Sequence, residues 1–540
     1  MPRTPTVRGV NVLYLLTMVL LVTLGAAAQN WSLAWGLMIS EVVFILLPAL
    51  LYLKLLRLPL RDTLRLRWPG VKLVALSVFL GVGLAGVATW LGQAASEVMD
   101  YTVPLPPSLF PTRPVDALRF FLSLTLFAPV CEETLFRGVI QRGYERYGVW
   151  TGILVGGLLF AAYHLSFLRL MGIVPIALVL GWVVWRGDSL VPGILVHMSY
   201  NGIVGTLSVF ASMRPDLLSD ASVSSPHIAV VGAAMVLVGL WLFRRAAGGL
   251  PAVSPSRASA AEPVDGGDPA SRARNPGCVQ WLSLLSATLI FLLMAGTEFV
   301  VGRYPQLLAL DQRLQLPPSP WSEPVRLRYD LHHAADETVG QVEVQITPLG
   351  SHCRLEATTQ LQTSEEPQGH RTPIGADCEG RVEATWDAET LHLLDAKVVH
   401  QGQDECLAAT LSPEGEGLKL AVTQDTTFLG DAELPADALL EGEWPWRLSS
   451  LAFGVGYARQ TTLAWTSNHS TETEGSHPSA EEAYVVVRGA EPLATPAGNF
   501  VAWRVTVGDR STAWYDSAAP HALLRYESAG ASYELMSVER

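Results

Sequence analysis

Charge is scarce in this sequence: Asp, Glu, Lys and Arg make up 16% of its 540 residues, against 49% hydrophobic ones. So thin a polar coat excludes a large water-soluble enzyme and points to a membrane protein. Cysteine is scarcer still, with five residues, too few for a disulfide scaffold. Cys131 and Cys278 read as small core hydrophobes. Cys353, Cys378 and Cys406 allow one disulfide with one thiol left over, the pairing open. No repeat of fixed period, no HExxH zinc motif and no cleavable signal occurs. The first apolar run lacks an early small-residue cleavage site and leads into another span, so it reads as a retained anchor.

The charges that are present divide unevenly. Residues 1–301 hold 21 Lys/Arg and 15 Asp/Glu, whereas residues 302–540 hold 16 and 35. A basic membrane half is thus joined to an acidic soluble half. The acidic half would repel phosphates, which excludes nucleic acid as a partner.

A span takes about 20 mostly apolar residues. Candidates are 10–28, 32–55, 72–93, 116–141, 149–168, 172–186, 190–211, 227–244 and 279–301, with 172–186 the short one. Arg3 and Arg8 precede the first; Lys54, Arg57, Arg61, Arg65, Arg67 and Lys72 crowd the loop after the second. Arg142 and Arg146, Arg186, and Arg244 with Arg245 follow the fourth, sixth and eighth. These residues share one side, the cytoplasm by the positive-inside rule, with Arg113, Arg169 and Arg214 as exceptions. The pattern predicts a polytopic all-α bundle of about eight helices over 1–247, its N-terminus cytoplasmic. Residues 248–277, rich in Gly, Pro, Ala and Ser, read as a disordered linker. A ninth transmembrane helix at 278–301 then returns the chain, placing 302–540 outside the membrane. That stretch alternates with period two, as in "GQVEVQITPL", "RVEATWD" and "FVAWRVTVGD", and predicts an antiparallel β-domain, sandwich or open barrel.

Within the fourth span the greasy "RFFLSLTLFAP" runs straight into "VCEETLFRGVI". A charge in hydrocarbon costs at least a few kcal/mol, so Glu132, Glu133 and Arg137 need partners. Glu133 and Arg137, four apart with acid before base, can pair along one helix face. Glu132 projects about 100° away and needs something polar from another helix. Two spans offer it: "LLFAAYHLSF" places His164 in an otherwise apolar helix one turn after Phe160, and "GILVHMSYNGIV" puts His197 and Asn201 on one face. A lone histidine in a span is more often packing or a proton relay, and a lone Asn is usually interhelical glue. The Glu133–Arg137 pair by itself is nearly as well explained as structure. Polar groups on three spans together point to a working site.

A carboxylate and an imidazole can hold and deprotonate a water, Glu132 as general base with His164 assisting. His197 and Asn201 can donate to the oxyanion of a tetrahedral intermediate. That chemistry is peptide hydrolysis and requires no Ser, Cys or Thr nucleophile. Glu132, His164 and His197 could instead hold zinc, which takes N and O ligands with one open position; the sequence leaves both routes open.

"EETLFR" (132–137), "FAAYH" (160–164) and "HMSYN" (197–201) resemble the EExxxR, FxxxH and HxxxN signatures of the CPBP intramembrane protease family. That family includes the CAAX prenyl endopeptidases and bacteriocin-processing or immunity proteins. The signatures stand in family order, and the resemblance covers about residues 70–245. It implies a helical bundle with an intramembrane site, Glu132 and His164 on the water, His197 and Asn201 on the oxyanion, and Glu133, Arg137 and Phe160 in support. Family members are commonly described as metalloproteases, and a metal-free glutamate mechanism is also argued. The name CAAX does not carry a substrate over. Residues 493–528 are similar to a β-module of secreted bacterial proteins.

The leading expectation is therefore an endopeptidase of the bacterial inner or plasma membrane. It would cleave a peptide or membrane protein in or near the bilayer, and its β-domain would recruit or sense an extracytoplasmic partner. A second expectation is a non-proteolytic immunity or scaffold protein that keeps the same bundle. A proton-coupled transporter fits less well, because no pair of inverted repeats with broken helices stands out.

Overall fold

A computed structural model describes residues 4–539 apart from 112, 215–225, 250–277, 310–311, 334–337, 362–378, 402–405, 416, 426, 441, 466–478, 510 and 529–530. The linker from residue 250 onward and residues 215–225 before the eighth candidate span lie outside the described residues. The chain divides into two compact units: Met1–Val103 with Pro111–Met213 and Asp220–Arg303, and Pro104–Phe110 with Arg214–Ser219 and Tyr304–Arg540.

Helices build the first unit. Among the described residues eight are long and apolar enough to cross a membrane: α1 (Val7–Trp31), α2 (Leu33–Leu55), α3 (Val71–Met99), α4 (Pro114–Tyr147), α6 (Phe167–Gly187), α7 (Leu190–Met213), α8 (Pro226–Ala246) and α9 (Cys278–Arg303). Between α4 and α6 lies the shorter α5 (Val149–Tyr163), whose 15 residues reach about 22 Å at the helical rise of about 1.5 Å, short of the ~30 Å hydrocarbon core. The short span is thus α5 and not the one expected at 172–186, which is the 21-residue α6. The cause is a break at residues 164–166. Leu165 turns left-handed at φ 55°, and Ser166 is extended with its hydroxyl accepting from the Arg169 amide at 3.2 Å, so it caps α6.

Small residues let these helices approach, as hydrocarbon-embedded helices require. A Cβ on Gly83 of α3 would meet the Gly232 carbonyl of α8 at 2.9 Å. Charges gather at one end of the bundle. Arg65, buried in the α2–α3 loop, donates to Glu145 of α4 at 2.7 Å and to Asp188 of the α6–α7 turn at 3.2 Å. Arg142 joins Glu145 at 2.9 Å, and Arg67 pairs with Asp188 and Asp62.

Among the described residues the second unit is one continuous 15-stranded sheet in which strands consecutive in the chain pair, except the eighth with the ninth, and the first pairs with the last. It begins at β1 (Val325–His333), reaches β8 (Thr427–Pro435), and resumes from β9 (Leu439–Leu440) to β15 (Ala531–Glu539). Neighbours are antiparallel except β9 with β10 (Ala458–Trp465), which are parallel. A single sheet rules out the two-layer sandwich. Because β8 also touches β10 and β11 (Ser479–Thr495), the sheet curls toward closure, as an open barrel does. Alternation decides what faces inward: in β2 (Thr338–Pro348), Val342, Val344 and Ile346 are buried while Gln341, Glu343 and Gln345, alternating with them, are exposed. A one-turn helix, α10 (Trp444–Arg447), carries buried Trp444 and Trp446 into this core. Trp446 donates to the Tyr329 hydroxyl at 3.2 Å, and Tyr515 donates to the Pro445 carbonyl at 2.6 Å. Cys353 is a buried free thiol, so the disulfide allowed among the three cysteines of this half does not run through it.

Candidate active site

Helix α4 carries the first groups. Pro129 sits inside it without an amide to donate, and wider π turns lie on both sides, at Ser123–Phe127 and Thr134–Ile140. Such turns are frequent where a helix serves a site. Between them Glu132 and Glu133 are buried, and Arg137 follows one turn on.

Glu133 and Arg137 pair at 2.9 Å, with neither side chain more than 1% exposed. Arg137 also donates to the Ala177 carbonyl of α6 at 3.1 Å, and its guanidinium lies 4.2 Å from the Phe160 ring centre. Glu133 has a further partner: its Oε1 lies 3.1 Å from Nδ1 of His197 on α7. The close approach depends on Gly193 one turn earlier on α7, where a Cβ would stand 3.0 Å from the second Glu133 oxygen. Because a carboxylate only accepts, the hydrogen of this bond belongs to His197 Nδ1. Nε2 of the same ring faces Glu132 at 3.7 Å.

His164 does not lie within a helix as expected. It terminates α5 at the break described above, its Nδ1 3.0 Å from the Phe160 carbonyl. A carbonyl also only accepts, so this ring too carries its hydrogen on Nδ1 and turns a lone pair out at Nε2. The Phe160 ring lies between the two imidazoles, 5.0 Å from His164 and 5.7 Å from His197, both edge-on. Among the described residues no hydrogen bond or ion pair joins Glu132 to His164; Glu132 meets His197 instead. Asn201, one turn after His197, donates from Nδ2 to the Leu124 carbonyl at 2.8 Å and keeps one N–H to offer.

Outward-facing Nε2 lone pairs, fixed by a carboxylate and a carbonyl behind them, would suit a metal. The spacing does not. Among the described residues no three His, Cys, Asp or Glu side chains group closely enough to hold an ion, so the zinc set of Glu132, His164 and His197 is not assembled.

One neighbour escaped the sequence reading. Glu41 of α2 is buried in the run "LMISEVVFILL", interacts electrostatically with Glu132, and leaves its Oε2 without a hydrogen-bond partner among the described residues. A carboxylate inside an apolar span was the available signal.

Residues 114–203, from α4 into α7, match the family described as Type II CAAX prenyl endopeptidase, Rce1-like. Over that stretch the chain is similar to CAAX-type intramembrane proteases. A curated Escherichia coli relative, "Uncharacterized 24.3 kDa protein", is 32% identical over 130 residues, 22% of this chain and 55% of that protein. The chain therefore spans about half the length of that relative. A solved structure of a proposed lipoprotein from Parabacteroides distasonis ATCC 8503 aligns with 42% of this chain and 100% of its own at 11% identity. Its TM-score of 0.14 lies below the level at which a shared fold follows.

Proposed function

We propose that the chain is an intramembrane endopeptidase that hydrolyses a peptide bond by direct attack of water, with Glu132 as general base. The single observation that carries this reading is His197 lying between two carboxylates: Nδ1 on Glu133 at 3.1 Å and Nε2 on Glu132 at 3.7 Å. Glu133 fixes the ring, and Arg137 and Phe160 fix Glu133 and both histidines in turn. A water on Glu132 gives up its proton as its oxygen bonds to the scissile carbonyl carbon. The oxyanion takes the remaining N–H of Asn201. The proton passes from Glu132 to Nε2 of His197, where the carboxylate behind the ring stabilises the imidazolium. The C–N bond then breaks, and His197 returns the proton to the leaving amine. Nε2 of His164 accepts the water's second hydrogen and so aligns it. His197 is thereby a proton carrier more than the oxyanion donor that the sequence suggested, because its Nδ1 hydrogen is committed to Glu133.

The substrate class is a peptide or membrane protein reached within the bilayer. Orientation belongs to the same proposal: the N-terminus lies in the cytoplasm and Tyr304–Arg540 outside it, in a bacterial inner membrane. Arg65, Arg67 and Arg142 collecting with Glu145 and Asp188 at one end of the bundle supports a cytoplasmic face there. The β unit would then meet an extracytoplasmic partner.

The test offers purified protein a peptide library in detergent, with products read by mass spectrometry for wild type, Glu132→Ala and His164→Ala. Cleavage by the wild type that both substitutions abolish, with folding retained, supports the enzyme. A wild type that cleaves nothing while it still binds a membrane partner would favour the scaffold reading.

A further inference from the structure

Helix α9 lies outside the stretch that matches the protease family, yet it reaches the corner that carries His164. Glu298, one of its outer residues, accepts at Oε1 from the Ser166 hydroxyl at 2.7 Å and from the Tyr101 hydroxyl at 3.1 Å. Ser166 is two residues from His164 and caps α6; Tyr101 follows the end of α3. Around this carboxylate the contact is extensive. Phe291 meets Phe167 edge-on at 5.3 Å, Phe299 meets Tyr101 edge-on at 5.3 Å, and Arg303 pairs with Asp100 at 2.9 Å. Ala95, Tyr101 and Leu168 form a small apolar cluster with Phe299 against them. Burial first, and Glu298 second, push the Tyr101 phenol above its ordinary range, so it stays a donor.

The corner needs such support. Leu165 holds a left-handed conformation at φ 55° that a branched side chain adopts at a cost. Among the described residues the hydrogen bond that orients His164 is the one to the Phe160 carbonyl. Without Ser166 held from outside, residues 164–166 could relax toward ordinary backbone and turn the imidazole away.

We propose that Glu298 is a positioning residue for His164: by gripping Ser166 and Tyr101 it locks the strained corner between α5 and α6. The lock rests on the peptidase reading for its purpose but not for its existence. It also gives α9 a role beyond anchoring, since the helix that leads the chain into the β unit holds one wall of the site.

The test uses the full chain in detergent and measures how fast diethyl pyrocarbonate modifies His164 and His197, read by peptide mass spectrometry. Losing two hydrogen bonds to a charged acceptor should open the corner, raising His164 modification about tenfold in Glu298→Ala. His197, held by Glu133, should keep its wild-type rate. Glu298→Gln, whose amide oxygen accepts both hydroxyls, should restore His164, and Ser166→Ala should reproduce Glu298→Ala. Unchanged His164 reactivity in Glu298→Ala would overturn the proposal. So would equal acceleration of both histidines, which marks general loosening, or a failure of Gln to rescue. Because modification is read without a substrate, a wild type that cleaves no peptide would sink the peptidase reading and leave this result standing.

Discussion

The two units each bury a glutamate and an arginine one helical turn apart. Glu133 and Arg137 pair at 2.9 Å in α4; Glu443 and Arg447 pair at 3.0 Å at α10 inside the β sheet; no side chain of the four is more than 1% exposed. What differs is the remaining company. Glu443 is closed in by the Trp386 indole and the Leu440 amide, both at 3.1 Å, and Arg447 donates to the Ala438 carbonyl at 2.7 Å. Those partners are fixed donors and acceptors that cannot exchange protons at neutral pH. Glu133 instead turns its shared oxygen to His197, whose other nitrogen faces a second carboxylate. A buried ion pair is therefore no sign of function by itself. The titratable third partner is what sets the pair at the candidate site apart.

Replacing each pair by apolar residues separates the two roles most strongly. Glu133→Leu with Arg137→Met should lower peptide cleavage by about a hundredfold or more, since the proposed general base loses its oriented partner. Glu443→Leu with Arg447→Met should leave cleavage at the wild-type rate. Equal losses, measured on one peptide, would erase the contrast. Breaking the structural pair on one side only gives the next effect. Arg447→Met strands a buried carboxylate and should cost about 3–5 kcal/mol, read as an earlier thermal transition in tryptophan fluorescence; adding Glu443→Leu should recover most of it. If the double variant melts no later than the single one, Glu443 is held by something other than charge pairing.

The smallest effect sharpens the comparison from the surface. Half-buried Asp387 accepts from the Thr390 amide and hydroxyl at 2.8 Å each, and these bonds hold its carboxyl below the ordinary value of 3.8. A depressed value stabilises the fold above pH 3.8 and is lost as the pH falls through the folded-state value. Solvent screening discounts the gain, so Asp387→Ala should lower the β-unit transition by only ~1–2 °C at neutral pH and by nothing in strong acid. A shift that grows on acidification would reverse the sign of this account.

Much of this was legible in the chain. Period-two alternation marked the β unit, and polar groups on three apolar runs marked the candidate site, because both signals are local. The rest depended on distant partners. Nothing near Glu133 announces His197, 64 residues on. Glu298 sits in "MAGTEFVVG" as visibly as Glu41 does in α2, yet its partners stand 132 and 197 residues away. The break after α5 hid for a different reason: Leu165 takes the left-handed turn where a reader of sequence looks for glycine or asparagine. His164 therefore passed for a mid-helix residue when it ends the helix.

The measurement closest to the centre of the account compares wild type with Glu132→Gln, an isostere that keeps the shape of the side chain and cannot take up a proton. Single-turnover cleavage of one fluorescent peptide in detergent should fall by about 10²–10⁴-fold while thermal unfolding stays at the wild-type temperature. A Glu132→Gln protein that cleaves as fast as wild type would contradict it.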